Sequence, residues 1–192
     1  SGTYIRFWNN SGRSRNVMSE KRRCVMRLYH GSNVVIESIN LAMCRPYKDF
    51  GKGFYLTDIE EQAKQMAKRV ARIYGGSPIV NSFEIQDDFR KLSNIKIKDF
   101  GIQTTEEWAK FVMNNRNRTF TDEANTLCNK DNKYDIVIGP VADDNMALLF
   151  RQYENEIIDF ETLLKGMIYK KTSSQYSFHT EKSIRLLQKV DD

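Results

Sequence analysis

The stretch Asp49–Asp58, "DFGKGFYLTD", decides how this chain is read. Two glycines flank Lys52, an aromatic pair follows, and a helical pattern begins directly behind it. Gly-Lys-Gly by itself makes no more than a tight turn. Phe54–Leu56 has the content of a short strand, and strand alternation sends Phe54 and Tyr55 to opposite faces. Phe54 is therefore expected in the core, and Tyr55 faces whatever lies on the other side. Thr57 and Glu60 have capping-box spacing. Ile59, Ala63, Met66, Val70 and Ile73 then recur at helical intervals, which predicts an amphipathic helix over 58–74. Gly75-Gly76 is expected to close it.

Upstream, Val25–Tyr29 reads as a strand that stops at a turn, His30-Gly31-Ser32. "NVVIESI" reads as a short strand or helical turn, and residues 41–53, with Pro46, Gly51 and Gly53, as a loop. Downstream, "PIVNSFEI" alternates as a strand, and 104–115 is expected to be a helix capped by Thr104 and Glu107. "YDIVIGPVADD" is an apolar strand closed by Gly139-Pro140, residues 144–153 are helical, and "FETLLKGM" is a short helix. Asp143 and Asp144 read as acids at a helix start rather than as a paired-carboxylate site. "QYSFHT" is expected to be the final strand, with Thr180 capping a last helix that carries Ile184, Leu187 and Val190. Short strands scattered among helices, without a βαβ rhythm, give an α+β class.

The 192 residues favour one domain with a real core, and 40% apolar and 29% charged content are ordinary for a globular protein. The net charge of +5 is unevenly placed. Residues 1–27 carry seven basic groups and one acid, so the rest is nearly neutral. Residues 1–25 read as a disordered basic leader or an appended extension, and 26–192 as the domain. A neutral body disfavours nucleic acid as a partner. No apolar run is long enough for a membrane helix, and no apolar N-terminal stretch suggests a signal peptide, so a cytoplasmic location is expected. Cys24, Cys44 and Cys128 are widely spaced, and His30 and His179 are the two histidines, so neither a metal site nor a disulfide framework is expected. GxGxxG, Walker A, GxSxG and HExxH are all absent.

"LYHGS", "DFGKGFYLT", "YDIVIGPVADD" and "QYSFHT", in that order, carry a resemblance. The chain resembles the ADP-ribosyltransferase superfamily, in the branch of poly(ADP-ribose) polymerases and diphtheria toxin. The span Met26–Val190 looks like a bacterial family of uncharacterised domains within it. The resemblance implies a split β-sheet core flanked by helices, with NAD bound between the sheet halves as co-substrate. It implies that His30 hydrogen-bonds the adenosine ribose and that Gly31 offers backbone groups to the nicotinamide carboxamide. Ser32 would contact a ribose or amide, Gly53 would let the strand approach the ligand, and Tyr55 would stack on nicotinamide.

The family's catalytic glutamate is matched here by Gln175, an amide without negative charge, with Ser177 and His179 as secondary candidates. That departure favours transfer of a single ADP-ribose over chain elongation. Ser173, two positions before Gln175, gives no support for arginine as acceptor. The family's second stacking aromatic falls at Met66; either the thioether packs on nicotinamide, or Tyr47 or Tyr74 takes that place. Lys52 reads as a solvated turn residue or a phosphate contact, and Asp135 as part of the sheet. The implied activity is mono-ADP-ribosyl transfer to an unidentified macromolecule, as a bacterial toxin with an antitoxin partner. An NAD glycohydrolase and an inactive NAD- or ADP-ribose-binding module are the alternatives.

Overall fold

The computed structural model describes residues 24–168 and 173–190. The leader expected over residues 1–25 lies almost wholly outside them. The described chain is α+β, with two small sheets and five α-helices. Strands β1 (Val25–Ser32), β3 (Ile79–Gln86) and β7 (Gln188–Val190) form an antiparallel sheet in the order β1-β3-β7. The second sheet runs β2-β6-β5-β4, from β2 (Phe54–Leu56), β4 (Ile97–Asp99), β5 (Ile136–Pro140) and β6 (Ser174–Phe178). Its β4–β5 pair is parallel and the others are antiparallel.

Residue alternation along these strands builds two cores. Leu28, Phe83 and Ile85 of the first sheet meet Phe54, Leu56, Ile136, Ile138, Tyr176 and Phe178 of the second. Phe54 thus enters the core as expected. The opposite face of the second sheet, at Val137, is covered by Phe50 and by helices α2 (Glu106–Arg116), α3 (Asp144–Glu154) and α4 (Phe160–Ile168). Trp108 of α2 is fully buried there, and its indole N–H donates to the Pro140 carbonyl at 3.1 Å. That bond satisfies the ring's polar atom and ties α2 to the end of β5.

Several boundaries differ from the sequence expectation. His30-Gly31-Ser32 is not a turn: β1 runs through it, because all three residues pair with β3. Helix α1 spans Glu60–Tyr74 and begins later than expected, with Ile59 at its N-cap and no side-chain cap. Thr57 is instead held in a bridge to Tyr29, and its hydroxyl accepts from Ile59 N and donates to Gln62. The buried residues of α1 are Ala63 and Ala67, whereas Ile59, Met66 and Ile73 stay exposed. Thr105, not Thr104, caps α2, since Thr104 turns away to the Met167 carbonyl. The "NVVIESI" stretch forms neither strand nor helical turn.

Helix α5 (Glu181–Ile184) is a single turn with a Thr180–Ser183 capping box. Leu187 and Val190 leave it, and β7 follows β6 as the last strand. Among the described residues no helix is long and apolar enough to cross a membrane. The thiols of Cys24, Cys44 and Cys128 are free.

Candidate functional site

The two sheets touch at one antiparallel bridge, where Tyr29 and Thr57 exchange N–H···O bonds of 2.8 and 3.0 Å. Residues two apart in a strand direct their backbone groups to the same side. Gly31 therefore aims its N–H and C=O out of the edge of β1, as Tyr29 does, and Tyr55 aims its own out of the edge of β2. A continuing ladder would pair Gly31 with Tyr55, but the strands part. His30 fills part of the opening, with its Nδ1–H donating to the Tyr55 carbonyl at 2.7 Å. Its ring stacks on Phe54 with centroids 4.5 Å apart. Burial lowers the His30 pKa despite that bond, so the ring is neutral at pH 7. With Nδ1 donating, Nε2 is an acceptor, and no described residue occupies it.

Tyr55 lies on the other face of β2. Its hydroxyl is enclosed by the loop before it, accepting from Phe50 N at 2.9 Å and donating to Gly51 O at 2.7 Å. Burial, reinforced by the Asp49 carboxylate, raises this phenol well above its ordinary pKa. Part of the residue stays accessible beside the second core. Tyr55 pairs with Ser177 on β6, and Gln175 lies two residues along on the same face.

Gln175 is held by the same loop: its Nε2 donates to Asp49 Oδ2 at 2.8 Å and to Pro140 O at 3.3 Å. Asp49 is buried, and Arg116 grips its Oδ1 through Nε at 2.8 Å and Nη2 at 2.6 Å. The Ala142 amide adds a bond of 3.2 Å to Oδ2. Residues 49–55 thus link His30, Tyr55 and Gln175, although the three side chains do not share one face of a sheet. They meet around β2, an edge strand.

A family profile described as "Protein of unknown function (DUF3990)" matches residues 26–189. The chain belongs to that family. No curated protein and no solved structure matches it. The description of DUF3990 assigns no activity, so what the site can do rests on its own geometry.

The remaining candidate residues of this DUF3990 chain divide. A Cβ on Gly31 would sit 2.1 Å from Ala63 O and 2.6 Å from Ala67 N, so this glycine admits α1 against β1. A Cβ on Gly53 would meet His179 Nδ1 at 2.6 Å, so its close approach is to His179. Ser32 ends β1, where its hydroxyl accepts from Val34 N at 3.4 Å. Met66 projects half-exposed from α1 beside Gly31. Tyr47, with φ 59°, lies exposed between Arg118 and Lys130, and Tyr74 lies under Arg45. Ser177 and His179 are internal: Nδ1 of His179 donates to Lys52 O and Nε2 bonds Ser177 Oγ, each at 2.8 Å. Asp135 receives Lys96 N, Thr180 Oγ1 and Lys182 Nζ, anchoring the end of β6.

No sequence motif marks Asp49 or Arg116 as members of the site. Asp49 opens the "DFGKGFY" stretch but matches no motif by residue type, and Arg116 is 67 positions away. A groove of about 800 Å³ lined in part by Arg118, Phe150 and Arg151 adjoins the network through Arg116. The concavity at the α3–α4 turn, from Tyr153 to Asp159, meets that groove at Glu154 and contains no residue of the network.

Proposed function

We propose that this protein cleaves NAD and transfers a single ADP-ribose to a macromolecular acceptor. The observation that carries the reading is the parting of β1 and β2 beyond the Tyr29–Thr57 bridge. It leaves the N–H and C=O of Gly31, a residue buried beneath α1, with no strand to pair them on the side facing β2. A primary carboxamide sets an acceptor oxygen beside an N–H donor, with a second N–H left over, and the first two complement such a strand edge. Nicotinamide carries that group.

The other side chains fit the rest of the ligand. Neutral His30 offers Nε2 to a ribose hydroxyl, and the Tyr55 ring offers a flat apolar surface beside the gap. Locking the Tyr55 hydroxyl and the Gln175 amide to one loop fixes both before the ligand arrives, which favours catalysis by orientation. The C1′–N bond of the nicotinamide riboside would break with its electron pair going to nicotinamide, which leaves neutral. The acceptor would then donate a pair to C1′ and lose a proton to solvent. The finer expectation, an ADP-ribosyltransferase-like split sheet, is part of this proposal.

Incubation with labelled NAD and cell extract tests it. Nicotinamide release with label on macromolecules is the expected result, and Tyr55→Ala and Gln175→Ala should each reduce release by about tenfold or more. Release without labelled macromolecules would replace transfer by hydrolysis. The amide at position 175, lacking charge, favours a second reading, an NAD- or ADP-ribose-binding module. Binding without any nicotinamide release would establish that alternative.

A further inference from the structure

The proposed reaction involves a developing positive charge at a ribose carbon, yet the residue aligned with the expected carboxylate is an amide. The nearest carboxylate is one hydrogen bond further on. We infer that Asp49 is a positioning residue that fixes the Gln175 amide so that Oε1 is presented to a ribose hydroxyl of the substrate. This inference rests on the NAD reading above.

Both N–H groups of the Gln175 amide are engaged, one by Asp49 Oδ2 at 2.8 Å and one by Pro140 O at 3.3 Å. Flipping the amide would set Oε1 against two acceptors, so one orientation alone satisfies the group. No described residue donates to Oε1, which remains the open polar atom of the side chain. Asp49 cannot swing aside, because Arg116 holds Oδ1 from two nitrogens and the Ala142 amide holds Oδ2. The carboxylate also polarises the amide, which strengthens Oε1 as an acceptor.

The arrangement makes a counter-intuitive demand on substitutions. Gln175→Glu, which supplies the expected catalytic residue type, would bring two carboxylates to hydrogen-bond distance and deprive Pro140 O of its donor. Such a pair holds together through one shared proton and is driven apart when that proton leaves as pH rises. Asp49→Asn is nearly isosteric, but the amide it introduces cannot accept from both Arg116 and Gln175 while also accepting from Ala142. Combining the two substitutions lets the new amide at position 49 donate to the new carboxylate at position 175 while its oxygen faces Arg116. The Ala142 N–H and the Pro140 carbonyl lose their partners, so the pairing is restored in part.

The full chain, the two single variants and the double variant are compared by nicotinamide release across NAD concentrations and by thermal unfolding. Asp49→Asn is expected to lower kcat by about tenfold or more while KM for NAD changes by less than about threefold. Gln175→Glu is expected to lose a similar factor as pH rises and the shared proton leaves, and the double variant to regain part of that activity at the same pH. Wild-type kcat per folded molecule in Asp49→Asn, with any loss confined to the unfolding midpoint, overturns the inference and leaves the NAD reading standing. So does Gln175→Glu activity that stays at the wild-type level as pH is raised past loss of the shared proton, which reads the same coupling should Asp49→Asn fail to fold. A wild-type chain that neither binds nor cleaves NAD would remove the functional reading and this inference with it.

Discussion

His179 is 4% exposed, with both ring nitrogens bonded inside the protein. Burial outweighs the Lys52 carbonyl and the Asp135 charge and brings its pKa down to about 4. Its effect on stability has a definite sign. Below the ordinary histidine value of roughly 6.5, the unfolded chain binds a proton that the folded chain refuses. Stability is therefore complete above that pH and is lost as pH falls towards 4, by on the order of 3 kcal/mol in all. Burial shifts His30 in the same direction. The urea midpoint should fall steadily from pH 7 to pH 4.5, and His179→Asn should flatten the decline, leaving the share due to His30. An unchanged slope in that variant would refute the assignment. Three members of the candidate site, His30, Tyr55 and Gln175, stand in sequence motifs, and the bonds of residues 49–55 link them. Asp49 and Arg116 were not legible, since a buried ion pair across two distant segments leaves no periodicity or motif.

Helix α1 shows why elements were read more easily than their contacts. Its helical course follows from periodicity and its stop from Gly75, at φ 80°, although its first turn begins two residues later than the pattern does. Its buried side does not, because periodicity ranks side chains by hydrophobicity, whereas close approach to β1 selects the small ones. Ala63 and Ala67 face Gly31, and the larger Ile59, Met66 and Ile73 are left outside. Gly31→Ala would drive a methyl into the backbone of α1 rather than into a movable side chain. Relief requires the helix to lift from the strand, at a cost of about 3 kcal/mol. A chemical-denaturation midpoint equal to the parent's would show that α1 is not packed so closely. Strands β4 and β7 are no shorter than β2, but they lack the aromatic pair behind Gly-Lys-Gly that marks β2 in the sequence. Thr180 gave a correct helix start, but nothing local marks where α5 stops. Pairing with β3 pulls residues 188–190 into the sheet instead.

At the scale of the molecule, the two sheets share one core and then part, so a ligand in the gap would contact both. The α+β class was legible because it depends on the mixture of patterns. How the sheets meet was not, since a single bridge between Tyr29 and Thr57 sets the opening. That opening has a thermodynamic consequence. A ligand spanning His30, Gly31, Tyr55 and Gln175 binds a surface that exists in the folded chain alone, so it must stabilise the fold by mass action. At a concentration one hundred times its Kd, NAD would add about 2.7 kcal/mol. For a chain of this size that corresponds to a rise in Tm of roughly 5–10 °C. Nicotinamide alone should produce a smaller rise if its carboxamide occupies the Gly31 edge. It should also slow hydrogen exchange at the Gly31 amide, whose N–H would then be bonded. His30→Ala should weaken the response to NAD while leaving that to nicotinamide intact, because His30 is assigned to a ribose hydroxyl. A Tm unmoved by millimolar NAD, with exchange at Gly31 unchanged, would remove the NAD reading of the gap.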